Sequence, residues 1–247
     1  MISKAKIKFI HSLEQKKIRM QERLFVAEGP KVVGDLLKVM RAKLIVKTVD
    51  SKIDNIGEAE VIEVTDDELR KVSFLQHPQE MLAVFPMFEI SKEKPDSQCL
   101  SLALDGVQDP GNLGTIIRIA DWFGIKHIYC SMDTADVYNP KVVQATMGSL
   151  ARVTIEYTDL ETLIDTYPAD YPIYGTLLDG NNIYKEPLTK EGLIVMGNEG
   201  NGISPSIRSK INHRLLIPNY PEGRETADSL NVAIATAITC NEFRRRQ

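Results

Sequence analysis

From Leu100 onward, short apolar runs alternate with stretches whose apolar residues recur at helical spacing. Residues 100–104, 126–130, 152–156, 172–178, 192–197 and 214–217 read as strands, and 113–123, 140–148, 158–167, 204–211 and 229–245 as helices. Ser101-Leu102-Ala103-Leu104 and Leu193-Ile194-Val195-Met196 lack a polar face, as parallel strands covered by helices on both sides do. The last helix is apolar nearly all round from Leu230 to Ile238, which predicts burial by the body or by a second subunit. The first third follows the same grammar in miniature. Residues 4–23 predict one basic helix, and Leu24–Ala27 a short strand. Pro30 then opens a helix whose face is Val32, Val33, Leu36, Leu37 and Met40. Strands follow at 43–49, 60–64 and 81–88, with Thr65-Asp66-Asp67-Glu68 as a capping box before a short helix. The polar, proline-bearing interval 89–98 predicts a linker, so the chain divides into 1–88, 89–98 and 99–247, both domains being α/β.

Composition changes this picture in one respect. The 247 residues carry a net charge of −4. Residues 1–47, however, hold 12 Lys and Arg against 4 Asp and Glu. A basic arm on an acidic body points to a polyanion partner, although a solvated helix face fits the charge count equally well. No apolar run approaches membrane-spanning length, and Lys4, Lys6 and Lys8 break any secretory core, so a cytoplasmic location without membrane contact is expected. Cys99, Cys130 and Cys240 sit scattered in apolar runs, read as reduced core residues, and form no metal-ligand spacing with the four histidines.

Candidate chemistry lies in three loops that follow strands in the second half. The first is Asp105-Gly-Val-Gln-Asp-Pro-Gly-Asn-Leu-Gly114, with Arg118 in the helix after it. The second is Gly197-Asn-Glu-Gly-Asn-Gly-Ile-Ser204, and the third runs from Ile217-Pro218 to Ser229-Leu230-Asn231. Ligands of open parallel sheets bind at the carboxyl ends of strands, so the three loops are expected to converge. Each residue also has a plainer use. The glycines fit turns, Glu199 a helix cap, Arg118 an exposed pair with Asp121, and Ser229 the N-cap of the last helix. Neither glycine-rich loop has dinucleotide or P-loop spacing, which argues against a nucleotide-dependent oxidoreductase.

Taken together and in this order, the loops resemble the SpoU (TrmH) family of RNA 2′-O-ribose methyltransferases, in the SPOUT superfamily. Asn112-x-Gly114-x-x-x-Arg118 with Asp105 and Pro110 is similar to its first motif, Leu193–Ser204 to its second, and Ile217-Pro218 with Ser229-Leu230-Asn231-Val232-Ala233 to its third. The likeness covers about residues 98–247; Arg23–Gly29 resembles the family's RNA-binding substrate domain. It implies a C-terminal α/β trefoil-knot domain behind a small ribosomal-protein-like α/β domain. S-adenosylmethionine is the implied cofactor, held at Gly197, Ile217 and Leu230. The implied catalytic group is Arg118, with Asn112, Glu199, Ser229 and Asn231 around it and Glu199 orienting Arg118. The implied activity is methylation of ribosomal RNA by a metal-free homodimer joined through the C-terminal domain. A tRNA substrate and an RNA-binding module without catalysis stand as alternatives. The connection from Ile217 to Leu230 is longer and more charged than the family's usual one.

Overall fold

The computed structural model describes residues 2–89, 97–221 and 224–245, so the linker expected over 89–98 lies largely outside the described residues. In chain order the elements begin with α1 (Lys4–Ser12), α2 (Lys16–Glu22), β1 (Leu24–Glu28), α3 (Pro30–Leu37), β2 (Leu44–Thr48), β3 (Glu60–Val64), α4 (Asp66–Val72) and β4 (Met81–Pro86). They continue with β5 (Leu100–Leu104), α5 (Pro110–Trp122), β6 (His127–Cys130), α6 (Pro140–Ala145), β7 (Thr154–Tyr157) and α7 (Leu160–Asp165). The chain ends with β8 (Ile173–Asn182), β9 (Gly192–Met196), α8 (Pro205–Lys210), β10 (His213–Leu216) and α9 (Val232–Arg245). Two compact units form, one from residues 1–90 with 136–151 and the other from 91–135 with 152–247.

In the smaller unit the sheet order is β1-β4-β2-β3, antiparallel except between β2 and β3. Its strands bury Phe25, Val26, Ile45, Val46, Val84 and Phe85. The single helix expected over 4–23 is two helices, and Arg19 explains the break. Its buried guanidinium donates to the carbonyls of Leu13 (2.8 Å) and Glu14 (2.6 Å), which the interrupted helix leaves without amide partners. It also pairs with Asp136 at 2.5 Å. Residues 136–151 thus pack inside this unit, with the Tyr138 ring 5.0 Å from that of Phe25 and its hydroxyl accepting from Phe88 N. Glu28 is buried as well, accepting from Ser73 Oγ and Phe74 N, and burial pushes its carboxyl above the ordinary value.

The larger unit is a six-stranded, wholly parallel sheet in the order β10-β8-β9-β5-β6-β7. The central runs read from the sequence, β5 and β9, are buried at every position. β5 through β7 build outward in one direction, and the chain then crosses to lay β9 against the other side of β5. This reversal sets the carboxyl ends of β5 and β9 side by side, with Leu104 opposite Met196. Within one chain the last helix buries one side, through residues such as Val232, Thr236, Cys240 and Phe243, and leaves Ile234 52% exposed on the other. One expectation needs correction: Cys130 and Cys240 are core thiols, burial holding Cys240 up at about 12, but Cys99 is exposed.

Candidate active site

Register decides the geometry. Because β5 and β9 end level, the loops that leave them start as neighbours, and Asp105 N donates to Met196 O at 2.9 Å. Side-chain bonds to main chain then lace them together. Asp105 Oδ2 accepts from Ser204 N at 2.6 Å, and Asn198 Nδ2 donates to Gly106 O at 2.7 Å. The oxygen of the Asn198 amide collects Gly200 N (2.9 Å) and Asn201 N (3.0 Å). Paired backbone bonds between Asn198 and Gly202 close the second loop on itself. Gly197 is required by that closure: a Cβ there would lie 2.3 Å from the carbonyl carbon of Gly202.

Asp109 caps α5 by accepting from Asn112 N at 2.7 Å, and Pro110 takes the first helical position. The Asn112 side chain is thereby aimed out of the first turn. Its Nδ2 donates to Glu199 Oε1 at 2.9 Å, and its Oδ1 accepts from Asn231 Nδ2 at 2.9 Å. One residue from each of the three loops therefore forms a continuous hydrogen-bonded chain, Glu199–Asn112–Asn231. Asn231 is also the group that caps the last helix, accepting from Ala233 N and Ile234 N, so Ser229 does not serve as that cap.

Beside this chain lies a cavity of about 500 Å³. Gly197, Glu199, Ile217, Ser229 and Leu230 all line it, as the loop reading expects. Arg118 stands elsewhere. It is exposed on α5, six residues and about 9 Å of helix beyond Asn112, and among the described residues it makes no hydrogen bond. Glu199 is bonded to Asn112 and not to Arg118, and Asp121 is paired with Arg152 and not with Arg118. Sequence reasoning misses two contributors. Asn198 is legible as an amide between glycines but carries no assigned role there. The segment Thr176–Asp179 lines the cavity although the sequence predicts a plain strand. The signal is present in Gly175 and Gly180, which bracket it. Among the described residues no group of three His, Cys, Asp or Glu is arranged to hold a metal ion.

A parallel sheet whose switch-point loops converge on a cavity defines an α/β enzyme domain built for a small organic ligand. Comparison with known proteins makes the class specific. Residues 99–241 carry the signature of the SpoU rRNA Methylase family, and residues 4–83 that of the MRM3-like substrate binding domain. The chain belongs to the SpoU rRNA methylase family. Over 97% of its length and 96% of the relative's, it is 31% identical to the 23S rRNA (guanosine(2553)-2′-O)-methyltransferase RlmP of Bacillus subtilis (strain 168). A TrmH-family chain from Porphyromonas gingivalis matches with a TM-score of 0.89 at 42% identity, each chain covered in full. The AdoMet-bound rRNA methyltransferase of Sinorhizobium meliloti matches with a TM-score of 0.88 at 31% identity, covering 100% of this chain and 96% of that one.

Proposed function

We propose that the protein transfers a methyl group from S-adenosylmethionine to a ribose 2′-hydroxyl of ribosomal RNA. The observation that carries this reading is the Glu199–Asn112–Asn231 chain, whose Glu199 lines a 500 Å³ cavity at the carboxyl ends of parallel strands. The cavity fits the cofactor in size, since pockets for ligands of this size run roughly 300–1,000 Å³. It also fits in chemistry: Ile217 and Leu230 offer an apolar slot for adenine, and the backbone at Gly197 is free of any side chain. When bound, S-adenosylmethionine supplies an electrophilic methyl group on a sulfonium.

The residues then divide the remaining work. Gly197, Ile217 and Leu230 hold the cofactor. Asn112 is committed at both ends of its amide, so it positions Glu199 and Asn231 and takes no proton itself. Ser229 lines the cavity from the third loop, which supports a role for it beside the reacting groups. Arg118 acts through the charge and the planar fork of its guanidinium. Its exposure suits a group that meets RNA: it holds the adjacent phosphate and stabilises the ribose oxygen as negative charge develops there. Orientation of oxygen, carbon and sulfur in line can supply roughly 7–11 kcal/mol of the barrier. The charge surplus of residues 1–47 supports phosphate contacts that position the RNA without reading its sequence.

Three companion statements belong to the same proposal. The C-terminal chain threads the family's trefoil knot, in keeping with α9 packing on α5. The protein is a homodimer through its C-terminal domain, supported by Trp122 at 86% and Ile234 at 52% exposure. It works in the cytoplasm; among the described residues no helix is long and apolar enough to cross a membrane.

Single-turnover methylation by Arg118→Lys tests the reading. The variant keeps the charge and loses the planar fork, so the rate is expected to fall about a hundredfold with cofactor binding unchanged. Turnover at the native rate would remove Arg118 from the chemistry.

A further inference from the structure

The cavity has a second polar end that the reaction described above does not use. Arg208 and Asp179 both line it, and Arg208 Nη2 donates to Asp179 Oδ2 at 2.5 Å. Asp179 also receives Arg214 Nη1 at 3.3 Å, although Arg214 is not part of the cavity wall. Two guanidiniums therefore share one carboxylate here, in a cavity whose other lining carboxylates are Glu199 and Asp228. Among the described residues Arg208 is the only cation lining the cavity.

The fold goes to some length to put Asp179 there. Pairing between β8 and β10 jumps from Arg214 opposite Gly175 to Leu215 opposite Asn181, so Thr176–Gly180 leave the ladder, and Thr176–Asp179 swing into the cavity wall. Gly180 is required at one end of this excursion, where the neighbour is backbone, and at the other Gly175 leaves room for the Ile211 side chain. A Cβ at Gly180 would lie 2.6 Å from the carbonyl carbon of Leu215, and one at Gly175 would lie 2.3 Å from Ile211 Cδ1. The ion pair itself is open to exchange. Its side chains are 40% and 50% exposed, a setting in which an ion pair contributes little and a competing carboxylate displaces it cheaply. Asp179 accepts at one edge of a guanidinium that has five N–H donors.

We propose that Arg208 and Asp179 form the subsite for the amino-acid end of the methyl donor, Arg208 taking its α-carboxylate and Asp179 its α-ammonium. The assignment rests on the S-adenosylmethionine reading given above. The chemistry is matched in kind: a zwitterion meets a cation and an anion already side by side, each exchanging its present partner for the ligand group of the same charge. The remaining wall near them, including Leu177 and Leu215, is apolar and suits the adenosyl part.

Calorimetry on the full chain with three probes tests it: S-adenosylmethionine, S-adenosylhomocysteine and 5′-methylthioadenosine, the last lacking the amino-acid end. Arg208→Ala should weaken the first two about tenfold each and leave the third unchanged. Arg214→Ala, which touches the same carboxylate from outside the cavity, should leave all three unchanged. The retained 5′-methylthioadenosine affinity reports that the variant is folded. Equal weakening of all three probes, no weakening of any, or equal losses from Arg208→Ala and Arg214→Ala would each overturn the subsite. If the native chain binds none of the probes, the methyltransferase reading fails first and the subsite with it.

Discussion

Where β5 and β9 end side by side, the loops after them hold each other through Asp105 to Ser204 N, Asn198 to Gly106 O, and Asn112 to Glu199. The third connection leaves an outer strand instead. Its described residues from Arg224 to Leu230 are exposed, and Asn219, bonded to Arg224 O and Thr226 Oγ1, ties the loop mainly to itself. The difference separates two kinds of functional residue. In the inner loops a side chain serves the fold and the site at once, so damage to one is damage to both. In the outer loop, and at exposed Arg118, the side chain is spared structural duty and can be altered for its chemistry alone.

Gly197→Ala strikes the inner loops hardest. A Cβ 2.3 Å from main chain cannot be relieved by a rotamer change, so a loss of about 3 kcal/mol or more is expected, with cofactor binding abolished. Denaturant unfolding reads the first and calorimetry the second; a variant of native stability would mean the second loop is not closed on itself. Asn198→Ala comes next. It strands Gly106 O and the two amides gathered by the Asn198 oxygen, at a cost of about 1–3 kcal/mol, read by the same denaturant unfolding.

A smaller effect, governed by pH, lies outside both loop systems and calibrates what a buried group does without a site around it. Glu28 has its carboxyl raised by burial, opposed by its bonds to Ser73 and Phe74. The folded state therefore binds the proton more tightly than the unfolded one. Its contribution is full below the unfolded value of 4.5 and is lost as pH rises through the higher folded value. Glu28→Gln should accordingly gain on the native protein as pH climbs above about 4.5, followed by thermal unfolding across a pH series. A difference that stays flat with pH would contradict the burial argument. The least stability is at stake in Ser229→Ala, expected to stay within about 0.5 kcal/mol of native while slowing methylation. A large loss of stability there would erase the distinction between inner and outer loops.

Much of this architecture is legible in the amino-acid sequence. The doubly apolar runs at Leu100–Leu104 and Leu193–Met196 announce central parallel strands because burial on both faces leaves no polar alternation. Asn112, Glu199 and Asn231 stand out as amides and an acid in the strand-end loops, and they meet because those strands end at one edge. Other features depend on partners far away along the chain. The break between α1 and α2 answers to Arg19, whose ion-pair partner, Asp136, lies 117 residues on. The excursion of β8 answers to the backbone of Leu215, so Gly175 and Gly180 read by themselves as incidental glycines in a strand. Periodicity reports which side of an element is covered; it is silent on what covers it. Local spacing has a similar limit at the last helix, where Ser229 reads as a natural cap but Asn231, two residues later, does that work.

The most direct measurement is mass-spectrometric mapping of ribose methylation after ribosomal RNA lacking the modification is incubated with the protein and S-adenosylmethionine carrying a labelled methyl group. The native chain is expected to place label on the 2′-oxygen of a defined nucleotide, and Arg118→Lys to lose that label. Label on a base, or no label on RNA while S-adenosylmethionine is bound, would contradict ribose methylation as the activity of this chain.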